Sequence, residues 1–211
     1  MNVVIVDYGM GNLGSVRRAL EQLGAEPEIA TDPARLEQAE RIILPGVGSF
    51  ADGMAHLDEH GWSAALRARA QRGTPLLGIC LGMQLLATHG TERGQHAGLG
   101  LIPGRVTRLD LMGCQARIPH VGWNDIKVTA AADNAAGRLF EGIADGTDFY
   151  FVHSFAFEAE RPGDVLASVD YGIEVAAAVG RGHIAGTQFH PEKSSKAGFR
   201  ILKNFLEAEA C

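Results

Sequence analysis

The sequence predicts one α/β domain with a mixed β-sheet. In the first half of the chain, short apolar runs alternate with segments of helical periodicity, which is typical of parallel strands connected by helices. From about Arg105 onwards, strand-like runs recur between Gly, Asp and Asn turns and helix signals are scarce, which indicates antiparallel strands. The 211 residues are sufficient for one sizeable domain, and no linker, repeat or low-complexity tract divides them. We therefore expect a single domain over residues 1–211.

In the first half, the expected strands are residues 3–6, 26–30, 41–44 and 76–79. A helix follows the first strand, with Asn12 as its N-cap and Gly24 as the residue that stops it. Helical patterns also cover roughly residues 51–72, with a break near Gly61, and begin again directly after Cys80.

The second half is expected to begin with a polar, glycine-rich surface loop over residues 88–104. The strand-like runs that follow are residues 105–109, 115–118, 125–128, 148–152, 165–169, 174–179 and 184–189. Residues 129–136 are expected to form a surface excursion. The chain closes with a helix whose apolar face carries Phe199, Leu202, Phe205 and Leu206.

Composition excludes several classes of protein. Nineteen basic against 25 acidic residues give a net charge of -6, which argues against nucleic acid or an anionic membrane as the main partner. No apolar run approaches the roughly 18 residues of a membrane span, and the N-terminus lacks the basic region of a signal peptide. The three cysteines, Cys80, Cys114 and Cys211, are odd in number and far apart. This usage predicts a reducing cytoplasm, no disulfide framework and no zinc site.

The most informative stretch is residues 78–82, Gly-Ile-Cys-Leu-Gly. A buried strand leads directly into Cys80 and a helical pattern begins right after it, which is the arrangement of a nucleophile elbow with cysteine as the nucleophile. Side chains two residues before and after the strained nucleophile would collide, which accounts for Gly78 and Gly82. The start of the helix favours a thiolate. A buried structural cysteine is the alternative interpretation of Cys80.

Residues 190–192, His-Pro-Glu, supply the base that a thiol nucleophile needs. In extended backbone the side chains of His190 and Glu192 point to the same side, so the carboxylate can orient the imidazole. Of the other seven histidines, His120 and His153 end strand-like runs and remain candidates for a function. Only His190 has an acid so placed.

An oxyanion that forms during attack by Cys80 needs backbone N–H donors. One is expected from Leu81, and the other from the glycine-flanked segment after the third strand, at Val47 or Gly48. A simple helix-entry turn with Ser49 as N-cap is the alternative interpretation of that segment.

A competing signal lies near the N-terminus. Residues 9–14 follow a strand and precede a helix with the spacing G-x-G-x-x-G of dinucleotide-binding folds, and Asp32 lies roughly where an acid that binds ribose is expected. This alternative predicts a nucleotide-binding or oxidoreductase domain. It does not account for the elbow at Cys80, so we favour a tight turn at the carboxyl edge of the sheet.

Taken together, these motifs resemble those of the class I glutamine amidotransferases, whose catalytic triad is matched by Cys80, His190 and Glu192. Finer matches are to the glutaminase subunits of imidazole glycerol phosphate synthases. They lie in residues 7–13 (DYGMGNL), 44–48 (LPGVG), 119–124 (PHVGWN), 150–154 (YFVHS) and 188–194 (QFHPEKS). The resemblance spans nearly the whole chain. Two positions depart from it, Val121 where Met is frequent and Phe155 where Tyr is frequent.

The resemblance implies a three-layer fold with a central mixed, mostly parallel sheet. It implies hydrolysis of L-glutamine to glutamate and ammonia by the triad, without a cofactor or a metal. The residues that it implies for glutamine binding are Gln84, Glu92, Ser154 and Phe155, with Glu92 on the α-ammonium group. Without the resemblance, Glu92 is expected to be a solvated loop acid.

The resemblance also implies a protein partner, a (β/α)₈ cyclase in a heterodimer that receives the ammonia through its barrel. The cyclase makes imidazole glycerol phosphate and an aminoimidazole carboxamide ribotide. The implied interface residues are Asn12, Trp123, Tyr150 and Lys193. Trp123 is expected in a turn at residues 122–124 and therefore exposed. A paralogous glutaminase that feeds another synthase, for instance a sugar-amidinating one, remains open because it needs the same triad.

Overall fold

The first half of the chain alternates strands and helices, as predicted. The computed structural model describes residues 1–129 and 136–208. The first-half elements are β1 Val3–Val6, α1 Leu13–Gln22, β2 Glu28–Ala30, β3 Arg41–Gly46, α2 Phe50–Glu59, α3 Trp62–Gln71, β4 Leu76–Cys80 and α4 Leu81–Leu85, with a 3-10 turn at Pro33–Gln38. The predicted break near Gly61 separates α2 from α3.

The second half consists mainly of strands and ends in one helix. Its strands are β5 His89–Gly90, β6 His96–Ala97, β7 Gly104–Arg108, β8 His120–Val128, β9 Thr147–His153, β10 Phe155–Ala159, β11 Val165–Asp170, β12 Glu174–Arg181 and β13 Ile184–Thr187. The closing helix is α5 Ser195–Glu207, and 3-10 turns lie at Gly137–Phe140, Pro162–Asp164 and Pro191–Lys193.

The large sheet is mixed. Over the described ranges its strand order is β2-β1-β3-β4-β13-β12-β11-β8-β9. The pairings from β2 through β13 are parallel, and those from β13 through β9 are antiparallel. Since β3 and β13 flank β4 in parallel, the residues that follow these three strands meet at one carboxyl edge.

Helices cover both faces of this sheet. Alternate residues of β1 face different sides: Val3 and Ile5 belong to a buried apolar cluster with residues of α1 and α5, whereas Val4 and Val6 belong to a second cluster with residues of α2, α3 and α4. The predicted three-layer architecture is therefore present, and burial on both faces accounts for the continuous apolar runs of the parallel strands.

The segment 88–104 is not the surface loop that was predicted. It contains β5 and β6, which join β7 and β10 in a small second sheet of order β10-β7-β5-β6. Leu99 and Ile102 are buried, and the backbone N–H groups of residues 99, 101 and 102 donate to the carbonyls of Leu85 and Leu86 at the end of α4. These bonds satisfy carbonyls that a helix end leaves unpaired. Strands of two residues are too short to give a periodic signal in the sequence.

Two other predictions about the second half were wrong. Residues 115–118 form no strand and pair with none in the described ranges, because the segment lies largely in solvent beside the sheet. Trp123 lies within β8, not in a turn, although it is 55% exposed as expected. Strand β10 was not predicted at all.

Packed phenylalanine rings join β9 to the segment that follows β13. Phe189 is fully buried, with its ring centroid 4.1 Å from that of Phe149 and 5.8 Å from that of Phe151. Burial of such a ring contributes roughly 1.5–3 kcal/mol. The next residue is His190, so this packing fixes the position of its backbone.

Parts of the sequence-based predictions lie outside the described residues. These are most of the excursion at 129–136, of which 130–135 are not described, and Cys211. Over the remaining chain, no helix is long and apolar enough to cross a membrane.

Candidate active site

Cys80 lies at a sharp turn between β4 and α4. It is the last residue of β4, and α4 begins at Leu81. Its backbone has φ 56° and ψ −109°, a positive φ that residues with a Cβ rarely adopt. Strain of this kind persists only where the surrounding structure enforces it, which is typical of a nucleophile elbow.

The two glycines beside Cys80 are required by close backbone contacts. A Cβ on Gly82 would lie 1.8 Å from the carbonyl oxygen of Leu44, and a Cβ on Gly78 would lie 2.6 Å from the carbonyl oxygen of Gly82. Both distances are far below van der Waals contact. The prediction that larger side chains would collide at these positions is confirmed.

His190 and Glu192 form the expected hydrogen bond. His190 Nδ1 lies 2.8 Å from Glu192 Oε1, and the two side chains are 3% and 1% exposed. The segment from Pro191 is a 3-10 turn, not extended as predicted, because proline's fixed φ suits the first position of a helical turn. Since the carboxylate accepts, Nδ1–H donates, and Nε2 is left without a hydrogen-bond partner among the described residues.

Ser194 holds the backbone of His190 against β9. Its hydroxyl donates to the His190 carbonyl oxygen at 2.6 Å and accepts from the Tyr150 N–H at 3.0 Å. The His190 N–H in turn donates to the Tyr150 carbonyl oxygen at 3.0 Å. The imidazole is therefore fixed in position as well as in tautomer.

The pKa of His190 is raised to about 9. Burial lowers it, but the Cys80 side chain and the Glu192 carboxylate, which both favour the imidazolium, outweigh the burial. Both side chains line the same pocket, so His190 is the candidate base for the proton of Cys80.

A pocket of about 390 Å³ opens above Cys80 and His190. Its lining residues are Val47, Gly48, Cys80, Leu81, Gln84, Glu92, Pro119, Val152, His153, Ser154, Phe155 and His190. It therefore brings together the predicted nucleophile, base, oxyanion segments and glutamine-binding residues from both halves of the sequence. Glu192 lies behind His190 and does not line the pocket.

Glu92 and Gln84 are both engaged in hydrogen bonds at the pocket wall. Glu92 Oε2 accepts from the Phe50 N–H at 2.9 Å, so this residue is not the freely solvated acid that its loop composition suggests. Gln84 Nε2 donates to the Phe155 carbonyl oxygen at 3.0 Å and to Gln188 Oε1 at 2.9 Å. With both N–H bonds of Gln84 used, only its Oε1 remains to accept from a ligand.

Comparison with known proteins agrees with this geometry. The family described as glutamine amidotransferase class-I matches residues 4–208. The chain is 49% identical to imidazole glycerol phosphate synthase subunit HisH of Moorella thermoacetica, over 97% of this chain and 94% of that relative. It is 48% identical to the subunit of the same name from Geobacillus kaustophilus, over 96% and 94%. The chain belongs to the class-I glutamine amidotransferase family.

Two solved structures share this fold. A crystal structure of a glutamine amidotransferase aligns with a TM-score of 0.75 at 24% identity, and the PurLQS structure from Thermotoga maritima with 0.76 at 22%. Each alignment covers 97% of both chains. At these identities the likeness concerns the fold.

Two further histidines of this amidotransferase, His120 and His153, form a buried pair beside the pocket. His153 Nδ1 lies 2.8 Å from the Phe155 carbonyl oxygen, which can only accept, so Nδ1 carries the proton. His153 Nε2 then accepts from His120 Nδ1 at 3.0 Å, and His120 Nε2 accepts from Asn124 Nδ2 at 3.3 Å. Asn124 also donates to the Asp170 carbonyl oxygen at 3.0 Å, which fixes its amide.

The pKa values of both histidines are lowered to about 4, mainly because burial disfavours the charged form. The pair is therefore neutral near pH 7, and every ring nitrogen has a partner. It connects β8, β9 and the start of β10 in one fixed arrangement, and its His153 is part of the pocket wall.

An exposed apolar face lies on β8 and β9 next to the pocket. In the strand register Val121 pairs with Val152 and Trp123 with Tyr150, so these four side chains share one face. Val121 and Trp123 are each 55% exposed. The Trp123 and Tyr150 rings meet edge to face at 6.1 Å, and Lys193 Nζ lies 6.0 Å from the Tyr150 ring centroid.

The glycine run near the N-terminus forms a turn at the same edge of the sheet. Asn12 is exposed there and caps α1, since its Oδ1 accepts from the Ser15 N–H at 3.3 Å. Asp32, the candidate ribose ligand of the dinucleotide alternative, instead accepts from the Ala34 N–H at 2.9 Å and caps a 3-10 turn.

Gln188 had no predicted role, and His120 and His153 were only candidates for a function. Gln188 is fully buried, and its Nε2 lies 3.8 Å from Cys80 Sγ. The available signal was a polar residue near the end of the strand-like run 184–189. Its partners lie on other strands and could not be read from the sequence.

Proposed function

We propose that this chain is the glutaminase subunit of an imidazole glycerol phosphate synthase and acts in histidine biosynthesis. The observation that carries the proposal is the convergence of the Cys80 elbow with the His190–Glu192 pair in one pocket of a class-I glutamine amidotransferase. Relatives from two organisms bear the name of that synthase subunit and align over nearly their whole length.

In the proposed reaction, His190 takes the proton of Cys80 and the thiolate attacks the side-chain amide carbon of glutamine. The oxyanion that forms accepts hydrogen bonds from the Leu81 N–H and from an N–H of the Val47–Gly48 segment. The first N–H groups of a helix have no partner within that helix, which leaves the Leu81 N–H available.

The imidazolium then gives its proton to the leaving nitrogen, and ammonia departs. The thioester that remains on Cys80 is hydrolysed by a water that His190 activates as a base. Glu192 keeps the imidazole in the tautomer that presents Nε2 to the pocket in both steps.

Glutamine binding is assigned to the remaining wall of the pocket. Glu92 is the carboxylate in the lining and is proposed to hold the α-ammonium group of the substrate. Gln84 is proposed to accept from the substrate through Oε1, and the Ser154–Phe155 backbone to meet its α-carboxylate. No cofactor or metal takes part in these steps.

The proposed partner is a (β/α)₈ cyclase that receives ammonia before it is protonated in bulk water. The apolar face of Val121, Trp123, Tyr150 and Val152 supports a protein interface at the rim of the pocket, because aromatic residues favour interfaces. Lys193 beside Tyr150 and Asn12 on the same edge of the sheet complete the proposed contact. The cyclase then forms imidazole glycerol phosphate and an aminoimidazole carboxamide ribotide.

Replacement of the nucleophile tests the proposal. Cys80→Ala should lower glutamate release from glutamine by roughly 10⁴-fold or more, while added ammonium salts still support turnover by the cyclase complex. Cys114→Ser is the matched control, because Cys114 is also a buried free cysteine but does not line the pocket, and its Sγ donates to the Tyr171 carbonyl oxygen at 3.1 Å. Glutaminase activity that survives in Cys80→Ala, or is lost in a folded Cys114→Ser, would contradict the assignment.

A further inference from the structure

Gln188 contacts the sulfur of Cys80 from beneath the pocket. Its side chain is fully buried, and its backbone N–H donates to the Ala177 carbonyl oxygen at 2.8 Å. It does not line the pocket. A group in this position can act on the nucleophile but cannot reach a ligand.

The hydrogen bonds around Gln188 determine which end of its amide faces the sulfur. The Phe155 carbonyl oxygen can only accept, so the Gln84 atom beside it is Nε2. The same Nε2 also donates to Gln188 and therefore meets Oε1, at 2.9 Å. The remaining end of Gln188, the NH₂ group, is the one that lies 3.8 Å from Cys80 Sγ.

A second neighbour of the Cys80 sulfur, the Val152 carbonyl group, favours the neutral thiol over the thiolate. The Val152 carbonyl oxygen lies 3.8 Å from Cys80 Sγ and can only accept, so it pairs with the neutral thiol. When His190 removes the proton, this contact has no donor left. The Gln188 N–H then faces a negative sulfur, and hydrogen bonds to charged groups are about twice as strong as neutral ones.

We propose that Gln188 is a positioning residue that donates an N–H to the Cys80 thiolate, and that Gln84 holds its amide in the orientation this requires. The proposal rests on the proposed role of Cys80 as the nucleophile. Gln84 then has two roles. It lines the pocket that receives the substrate, and it holds the residue that stabilises the attacking thiolate.

The test measures the pH dependence of Cys80 alkylation in the full-length chain. Iodoacetamide is the probe, because it is neutral and reacts with the thiolate, and peptide mass spectrometry separates Cys80 from the other cysteines. Gln188→Met keeps the length of the side chain and removes the N–H. It should raise the pH midpoint of alkylation by about one unit, so that at any pH below both midpoints the reaction is roughly tenfold slower than in the unmodified chain.

Two further variants separate this effect from simple loss of packing. Gln188→Glu keeps an acceptor for Gln84 but turns an oxygen toward the sulfur, so its midpoint should lie above that of Gln188→Met. Thr187→Val removes a buried hydrogen bond from the preceding residue, since Thr187 Oγ1 donates to the Phe189 carbonyl oxygen at 3.0 Å. It should lower the melting temperature and leave the midpoint unchanged.

Kinetics with glutamine supply a second readout. Gln188→Met should lower kcat about tenfold. Gln188→Glu, which keeps the acceptor for Gln84, should lower kcat and leave KM within about twofold, because Gln188 itself does not touch the substrate. A midpoint in Gln188→Met or Gln188→Glu equal to that of the unmodified chain would overturn the proposal. Alkylation is measured without glutamine, so an unchanged midpoint would contradict the role of Gln188 alone. The proposed function would instead fail if Cys80→Ala kept its glutaminase activity.

Discussion

The two buried histidine sites of the molecule differ in charge although they are buried alike. His190 and His120 are each 2% exposed and His153 is 6% exposed. The pKa of His190 is raised to about 9, whereas those of His120 and His153 are lowered to about 4. The partners account for the difference: His190 has a carboxylate and a thiol, whereas His120 and His153 have carbonyl, amide and imidazole partners in the described residues.

The two sites also differ in the number of ring nitrogens that remain available. His190 binds Glu192 through Nδ1, and its Nε2 has no hydrogen-bond partner in the part of the chain that the structure describes, whereas all four ring nitrogens of His120 and His153 have partners. A histidine with a free nitrogen and a carboxylate partner can transfer protons, and one with two neutral partners holds structure. Burial alone does not distinguish these roles.

The strongest test of this distinction is His190→Ala measured against His120→Phe. His190→Ala should lower kcat for glutamine hydrolysis by roughly 10³–10⁴-fold, because the thiol loses its base. His120→Phe should lower it less than about tenfold, because Phe can keep the stacking on Phe151 and Tyr171, whose ring centroids lie 4.8 and 3.9 Å away. If both variants fold and lose kcat to the same extent, the two histidine sites do not differ in function as stated.

A smaller effect is expected when the carboxylate partner of His190 is replaced by its neutral isostere. Glu192→Gln should lower kcat by roughly 10²-fold, because a less well oriented imidazole is still a base, and the pKa of His190 should fall. Combined with His190→Ala, it should cost little more than His190→Ala alone. Additive losses in the double variant would mean that Glu192 acts in some other way than through His190.

The smallest effect concerns stability in mild acid. The folded-state pKa values of His120 and His153 lie below 6.5, so the unfolded chain binds more protons between pH 6.5 and about 4, and stability falls as the pH falls through this window. Each histidine should lower the free energy of unfolding by up to about 2 kcal/mol between pH 6.5 and 5. The contribution of His190 has the opposite sign and is lost between pH 6.5 and about 9, outside this window.

Urea unfolding at pH 6.5 and pH 5 measures this difference directly. In His120→Phe one titrating group is gone, so the decrease in the free energy of unfolding should be about half that of the unmodified chain. An unchanged decrease would show that acid sensitivity comes from other groups.

The sequence could predict the proposed catalytic residues because the parts of this site are local. Cys80 with its two glycines, and His190 with Glu192, each lie within a few residues of one another, and a parallel sheet brings strand ends to one edge. The contacts of Gln188, the His120–His153 pair and the small sheet depend on the register between distant strands. Neither strand length nor apolar periodicity encodes that register for elements as short as β5 and β6.

The pocket lies between the two sheets. Cys80 ends a strand of the large sheet, whereas Glu92 follows β5 of the small sheet and also bonds to the first residue of α2. A glutamine molecule that binds Glu92 at its α-ammonium end and Cys80 at its amide end would act as a removable cross-link between them. Part of its binding energy would therefore be used to fix one sheet relative to the other. The site would then become fully rigid only when glutamine is bound.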